Sequence, residues 1–290
     1  MLTKSSIVMV TPTTTNNTTT TIKRRRKRKF DGKIILITGA SSGIGRQAAI
    51  DFANNGAMAI ILVGRSESKL TGVAALINSK CETMVYICDI SNKTEVIKLG
   101  RDVIHRFGRV DVLVNNAGFG IFGKVQDQSI EQIESITATN YYGMIYCTKV
   151  FLDSMLYNKF GHIVNVASVA ASFGVPGLAA YCGSKYAMLG FSESLYHELH
   201  GTGVGITVVS PIAVKTNFFN NESFGGKMPN YVGYALPPKT VSNAIMRAAN
   251  SPRLEIIVPL FIRVGVWLKQ TLPYIINPLV GAAFRRKLRR

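Results

Sequence analysis

One segment limits the fold more than any other. Lys33 to Thr38 is a short apolar run, the pattern of a strand buried on both faces. It leads directly into Gly39-Ala40-Ser41-Ser42-Gly43-Ile44-Gly45. A helical stretch follows, Arg46 to Asn54, with Ala48, Ala49, Ile50 and Phe52 as its apolar positions. Strand, glycine turn and helix in that order are the context a nucleotide site requires, with an ordinary tight turn as the alternative: glycines admit a pyrophosphate close to the backbone, and the helix N-terminus offers free N–H groups and partial positive charge. The spacing is Gly-x-x-x-Gly-x-Gly, and no Gly-Lys-Ser/Thr follows, so a P-loop is excluded.

The same alternation continues along the chain. Apolar runs at Ala57–Val63, Met84–Cys88, Val110–Val114, Ile163–Ala167 and Gly205–Ser210 read as further strands, with helical patterns between them. Alternating strands and helices predict an α/β fold: a single doubly wound, mostly parallel Rossmann-type sheet with helices on both faces. No internal repeat is visible. Residues 31–258 form the expected cofactor-binding domain, residues 1–30 a disordered tail and residues 259–290 an apolar and basic extension.

The second strand ends at Gly64-Arg65-Ser66. A site for the unphosphorylated cofactor places Asp or Glu here to hold the ribose 2′-hydroxyl. No acidic residue lies between Ala57 and Ser66, and a guanidinium suits a 2′-phosphate. Arg65 therefore favours NADP(H), with a solvated loop arginine as the alternative. Tyr181 and Lys185 lie four residues apart, on one helix face, thirteen residues and more beyond Ser168. A nearby cation lowers a tyrosine pKa, so Lys185 is expected to draw Tyr181 from about 10 towards neutrality and fit it for proton transfer. Ser168 follows an apolar run, at the C-terminal end of a strand, where open parallel sheets bind their ligands.

Assembled, these residues resemble the short-chain dehydrogenase/reductase family, from about Asp31 to about Val258. Thr38-Gly39-x-x-x-Gly43-x-Gly45 is similar to its cofactor turn. Asp89 resembles its adenine-contacting aspartate, and Asn115-Asn116-Ala117-Gly118 the motif that lines its cofactor cleft. Taken singly, Asp89 reads equally as a helix N-cap, Asn115 and Asn116 as turn residues, and Asn140 as a helix-interior hydrogen-bonder. The resemblance implies Asn140, Ser168, Tyr181 and Lys185 as catalytic groups, with Ser168 and Tyr181 on the substrate. It implies cofactor contacts from Gly39, Ser41, Ser42, Gly43, Ile44, Gly45, Arg65, Asp89, Ile90, Asn116, Ala117, Gly118, Tyr181, Lys185, Val214 and Thr216. Pro211-Ile212-Ala213-Val214-Lys215-Thr216 carries Ile212 where the family has glycine, a change expected to reshape the nicotinamide pocket. The implied activity is hydride exchange between NADP(H) and a carbonyl or secondary alcohol, of steroid, retinoid, ketoacyl or sphingoid type. An NADP(H)-binding sensor without turnover is the alternative, and a homodimer or homotetramer is expected.

Asn217 to Leu236 is expected to form a lid over a lipophilic substrate, lined by Phe218, Phe219, Phe224, Tyr231 and Tyr234. Cys81, Cys88, Cys147 and Cys182 show no Cys-x-x-Cys or Cys/His spacing, so no metal site is expected, and a reducing, cytosol-facing compartment fits. Met1 to Val10 is too short and polar for a secretory signal.

The formal charge of +18 lives mostly in two places. Lys23 to Lys29 is an unbroken basic run after a Thr- and Asn-rich stretch, and Arg285 to Arg290 holds five more cations. Without interleaved aromatics at Lys23 to Lys29, nucleic acid is an unlikely partner. Leu254 to Phe284 is apolar, broken by Arg263, Lys269, Pro259, Pro273 and Pro278, and too interrupted to span a bilayer. Ile257, Leu260, Phe261, Val264, Trp267 and Leu268 fit one amphipathic helix. Such a helix either packs on the sheet or a second subunit, or lies peripherally on an intracellular membrane such as the endoplasmic reticulum.

Overall fold

The computed structural model describes residues 29–225 and 233–288. Seven strands form one sheet: β1 (Ile34–Thr38), β2 (Ala59–Gly64), β3 (Glu82–Ile87), β4 (Val112–Asn115), β5 (Gly161–Val166), β6 (Val204–Pro211) and β7 (Glu255–Val258). Their order is β3-β2-β1-β4-β5-β6-β7, and every pairing is parallel. The expected mostly parallel sheet is thus wholly parallel.

All five β1 residues are buried, which explains the unbroken apolar run: both faces are covered. Ile35 and Ile37 face a core shared with α1 (Gly43–Asn54) and α7 (Pro238–Asn250), and helix α2 (Glu67–Ile77) closes that side. Ile34 and Leu36 face the opposite core, built with α3 (Lys93–Phe107), α5 (Gly143–Tyr157) and α6 (Ala179–Glu198). A shorter helix, α4 (Ile130–Thr137), opens with a capping box at Ser129 and Gln132. Buried Asp51 ties α1 to α7, accepting from Lys239 Nζ and from Ser242 Oγ, both at 2.5 Å.

The winding of the sheet reverses at β1: β2 and β3 are added on one side of it and β4 to β7 on the other. The loops leaving β1 and β4 diverge there and open a crevice at the strands' C-terminal ends.

The C-terminal segment departs from expectation. Ile257 belongs to β7, and α8 (Ile262–Thr271) starts only after Pro259, so Ile257 is not on the helix face with Trp267. Helix α9 (Pro273–Leu288) runs through Pro278. The lost bond is the one to Tyr274, on a solvent-facing turn where water can replace it. The basic run at Lys23 to Arg28 and Tyr231 lie outside the described residues.

Candidate active site

The crevice holds a cleft of about 480 Å³. Its floor is the turn between β1 and α1. Gly43 has φ +54°, and a Cβ there would sit 2.8 Å from Thr216 Cγ2. A Cβ on Gly45 would lie 2.3 Å from the Gly39 carbonyl oxygen. Only hydrogen fits at either position, so the backbone can bend tightly and keep its amides open to the cleft. The Ser42 side chain makes no cap bond, and the first turn of α1 carries no acidic residue. The floor therefore presents a helix N-terminus to whatever enters, a fit for a pyrophosphate.

One asparagine of the pair at the end of β4 holds this floor. Asn116 Nδ2 donates to the carbonyls of Thr38 (3.0 Å) and Gly39 (3.2 Å). The Thr38 hydroxyl accepts from the amides of Asn116 and Ala117. Asn115 turns the other way, into the core, donating to Thr148 (3.1 Å) and Asn165 (2.9 Å).

Arg65 and Asp89 face each other at one end, with Nη1 and Oδ2 3.7 Å apart. Both line the cleft with Ile90, Gly39, Ser41, Ser42, Gly43, Ile44, Asn116, Ala117, Gly118 and Thr216. Asp89 accepts from the amide (3.0 Å) and hydroxyl (2.7 Å) of Ser91. The N-cap of α3 is Asn92, so the reading of Asp89 as that cap is corrected.

Two residues of the segment after β6 pack towards the core. The Val214 side chain is buried there, and its backbone bridges to Leu236. Ile212 also packs against that core, its amide bonded to the Val258 carbonyl.

Tyr181, Ser184 and Lys185 share one face of α6. Lys185 is buried, and its ammonium donates to the Val166 carbonyl (3.0 Å) and touches Met188 Sδ (3.4 Å). Asn140 sits in a π-helical turn, Ala138–Tyr142, a distortion frequent at functional sites. Its amide pairs twice with the backbone of Phe119, each bond 3.0 Å, and donates to Ser184. Ser184 in turn donates to the Tyr181 carbonyl at 2.7 Å. Gly118 makes this convergence fit: a Cβ there would meet Asn140 Oδ1 at 3.0 Å and Lys185 Nζ at 3.5 Å. Ser168 caps a short turn by accepting from Ala170, donates to the Pro211 carbonyl at 3.4 Å, and lies close enough to the Tyr181 phenol to lower its pKa. The sequence reading passed over Ser184, although its i+3 spacing from Tyr181 on one helix was the available signal.

The electrostatics differ from expectation. Burial pushes Tyr181 up to about 12, against a smaller lowering by Ser168. Burial also presses Lys185 down to about 8. The ammonium lies 5.8 Å from the Tyr181 ring centre, and desolvation outweighs any pull from it. Tyr181 is not drawn towards neutrality; at pH 7 it holds its proton.

Apolar groups close the far end. Phe218 packs edge-on to Tyr181, ring centres 5.3 Å apart, and touches Phe219 and Phe224. Phe122, Val175 and Leu178 complete the cluster. Tyr234, expected in this lining, faces solvent instead.

A short chain dehydrogenase family model matches residues 33–224. The chain belongs to the short-chain dehydrogenase family. Dehydrogenase/reductase SDR family member 7B of Xenopus tropicalis is 32% identical, over 88% of this chain and 86% of its own. Epidermal retinol dehydrogenase 2 of Mus musculus is 34% identical, over 83% of this chain and 79% of its own. Estradiol 17-beta-dehydrogenase 11 of Pongo abelii is 33% identical, over 83% and 80%. Among solved structures, a family member from Burkholderia phymatum in complex with NAD superposes with a TM-score of 0.76 at 28% identity, covering 84% of this chain and 94% of that one. An alcohol dehydrogenase from the archaeon Thermococcus sibiricus, complexed with 5-hydroxy-NADP, gives 0.70 at 28%, covering 79% and 96%. The family places this short-chain dehydrogenase among oxidoreductases of CH–OH and C=O groups.

Proposed function

We propose that the protein is an NADP(H)-dependent oxidoreductase that interconverts a carbonyl and its alcohol on a lipophilic substrate. The observation that carries this reading is the Tyr181 phenol, kept protonated by burial and influenced by the nearby Ser168 hydroxyl, with apolar rings on one side and the glycine-floored cleft on the other.

Bound in the cleft, the cofactor would supply or accept the hydride. Tyr181, which burial keeps protonated at neutral pH, gives its proton to the carbonyl oxygen. Ser168 hydrogen-bonds the same oxygen, stabilising charge as it develops. Lys185 lies beside Gly118 and Asn140, placed to hold the ribose and to sit behind the phenol. Asn140 fixes the Phe119 backbone and links through Ser184 to the Tyr181 carbonyl, so it positions both walls. Arg65, largely exposed and only loosely paired with Asp89, is free to turn onto a 2′-phosphate.

The lipophilic class rests on Phe122, Phe218, Phe219 and Phe224, and on relatives named for retinol and estradiol. We infer a reducing, cytosol-facing compartment from the four free thiols. The test is a panel of retinoid, steroid and long-chain carbonyls with NADPH and NADH in parallel. Turnover that Tyr181→Phe abolishes, with cofactor binding retained, supports the assignment. Near-full turnover by Tyr181→Phe sinks the mechanism, and equal use of both cofactors sinks the NADP(H) preference.

A further inference from the structure

Beyond β7 the chain presents a surface the fold itself does not use. Phe261, Val264 and Trp267 lie along one side of α8, and Ile275 and Leu279 along one side of α9, each more than half exposed. The opposite side of α8 is anchored. Val266 is buried, Lys269 Nζ donates to the Tyr186 hydroxyl at 3.1 Å, and Gly265 passes against Phe173. The outward apolar row is therefore not core.

Charge along this segment is one-sided. All sixteen acidic residues of the chain lie before Ile256, whereas the segment from Ile256 to Arg290 holds seven lysines and arginines. Three of them, Arg285, Arg286 and Lys287, fall in the last turns of α9. Among the described residues no helix is long and apolar enough to cross a membrane.

We propose that α8 and α9 form a docking face for the surface of an anionic phospholipid bilayer. The apolar row enters the headgroup boundary and the cations pair with lipid phosphates and carboxylates. Charge argues for lipid over a second copy of the chain. A two-fold pairing of this face would set like cations opposite one another with no acid in the segment to offset them.

The face carries its own probe, because Trp267 is the chain's only tryptophan. The full-length protein is titrated with phosphatidylcholine vesicles, with and without phosphatidylserine, while Trp267 emission and vesicle flotation are followed. The expected result is a blue shift and flotation on the phosphatidylserine vesicles, with quenching by brominated acyl chains. Each surface cation contributes about fivefold on an anionic leaflet, so replacing Arg285, Arg286 and Lys287 together by Gln should cost about a hundredfold in partition. Raising salt from about 0.1 M to about 1 M shortens the screening length from about 10 Å to about 3 Å and should mimic that loss. Val264→Glu keeps the probe and should weaken binding at every salt concentration. Circular dichroism and sedimentation equilibrium on each protein separate docking from unfolding and from self-association. Emission and flotation indifferent to phosphatidylserine overturn the proposal. So does a vesicle-free dimer whose Trp267 emission is already blue-shifted and which Val264→Glu splits, since the face would then belong to a second copy.

Discussion

Replacing Lys185 by Met should stabilise the folded protein while removing its activity. The ammonium is buried, with one carbonyl and one thioether as partners. Burial lowers its pKa from an ordinary 10.5 to about 8. That difference corresponds to about 3 kcal/mol, at about 1.4 kcal/mol per pH unit. It is the cost of keeping the charge in the folded interior at neutral pH. Methionine has a similar length and no charge, so this cost disappears. The Val166 carbonyl loses its donor, which returns about 1 kcal/mol. The net expectation at pH 7 is a gain of about 2 kcal/mol, read as a higher urea midpoint with an unchanged slope. The sign with pH is fixed. Between about 8 and 10.5 the unfolded chain holds a proton on Lys185 that the folded chain has released. Unmodified protein therefore gains stability as pH rises through that window, and the variant does not. Their difference should be largest below pH 8 and shrink as pH approaches 10. Tyr181 does not blur the comparison, because its raised pKa acts above 10 and in both proteins. Parallel urea titrations at several pH values measure this. A variant less stable at pH 7, or a difference flat with pH, would show that Lys185 is not a desolvated charge.

Gly45→Ala should destabilise by about 1–3 kcal/mol, the usual cost of an overpacked site, because its Cβ meets the Gly39 carbonyl oxygen and Asn116 Nδ2. Weakened cofactor binding should accompany the lower urea midpoint, and an unchanged midpoint would contradict the packing at this turn. Arg65→Asp should lower NADPH affinity by tenfold to a hundredfold, from a charge-assisted contact worth roughly 1.5–3 kcal/mol. Titration calorimetry with NADPH and NADH reads the shift, and no change would remove Arg65 from the site. Asp51→Ala should cost about 1.5–3 kcal/mol without changing KM, since it breaks charged hydrogen bonds between α1 and α7 away from the cleft. With a substrate carried in phosphatidylserine vesicles, Trp267→Glu should raise KM and leave kcat as it was, whereas a rise with a fully water-soluble substrate would point to a defect in the cleft itself.

The sheet could be read from the chain because local pattern and global position agree at every strand. Ile34 to Ile37 are apolar without alternation, and only a strand covered on both faces uses such a run. The glycine turn was equally legible, since Gly43 and Gly45 sit where a Cβ would collide with Thr216 and with Gly39. What could not be read depends on tertiary surroundings. The Tyr181 pKa was expected to fall, because spacing shows that Lys185 is near; it does not show that both groups are dry. For Ile212 the sequence gives its place in a motif, whereas its packing against the core needs the fold. Ile257 fits a helical period by chance spacing, and the β6 register, pairing Ser210 with Ile257, overrides that period. Pro278 was read only as an interruption of the apolar run; that a helix continues through it depends on water reaching the carbonyl it frees.

The same tertiary placement links the cleft to the C-terminal helices. Ser168 opens a segment that runs through Phe173 and Val175 to Leu178, and Val175 and Leu178 belong to the apolar cluster around Tyr181 and Phe218. Gly265 of α8 packs against Phe173 in the middle of that segment. Lys269, one turn further on, is held by Tyr186, which sits on α6 one residue beyond Lys185. Helix α8 is thus fastened twice to elements that carry the catalytic candidates. A bilayer docked on α8 would bear, through these two contacts, on the segments that carry Ser168, Tyr181 and Lys185. The two fastenings can be separated by experiment. Lys269→Met removes the bond to Tyr186 but keeps the Trp267 row, so vesicle binding should persist while KM for a vesicle-borne substrate rises. If KM stays unchanged while binding is retained, docking and catalysis are independent, and α8 serves only to hold the protein at the surface.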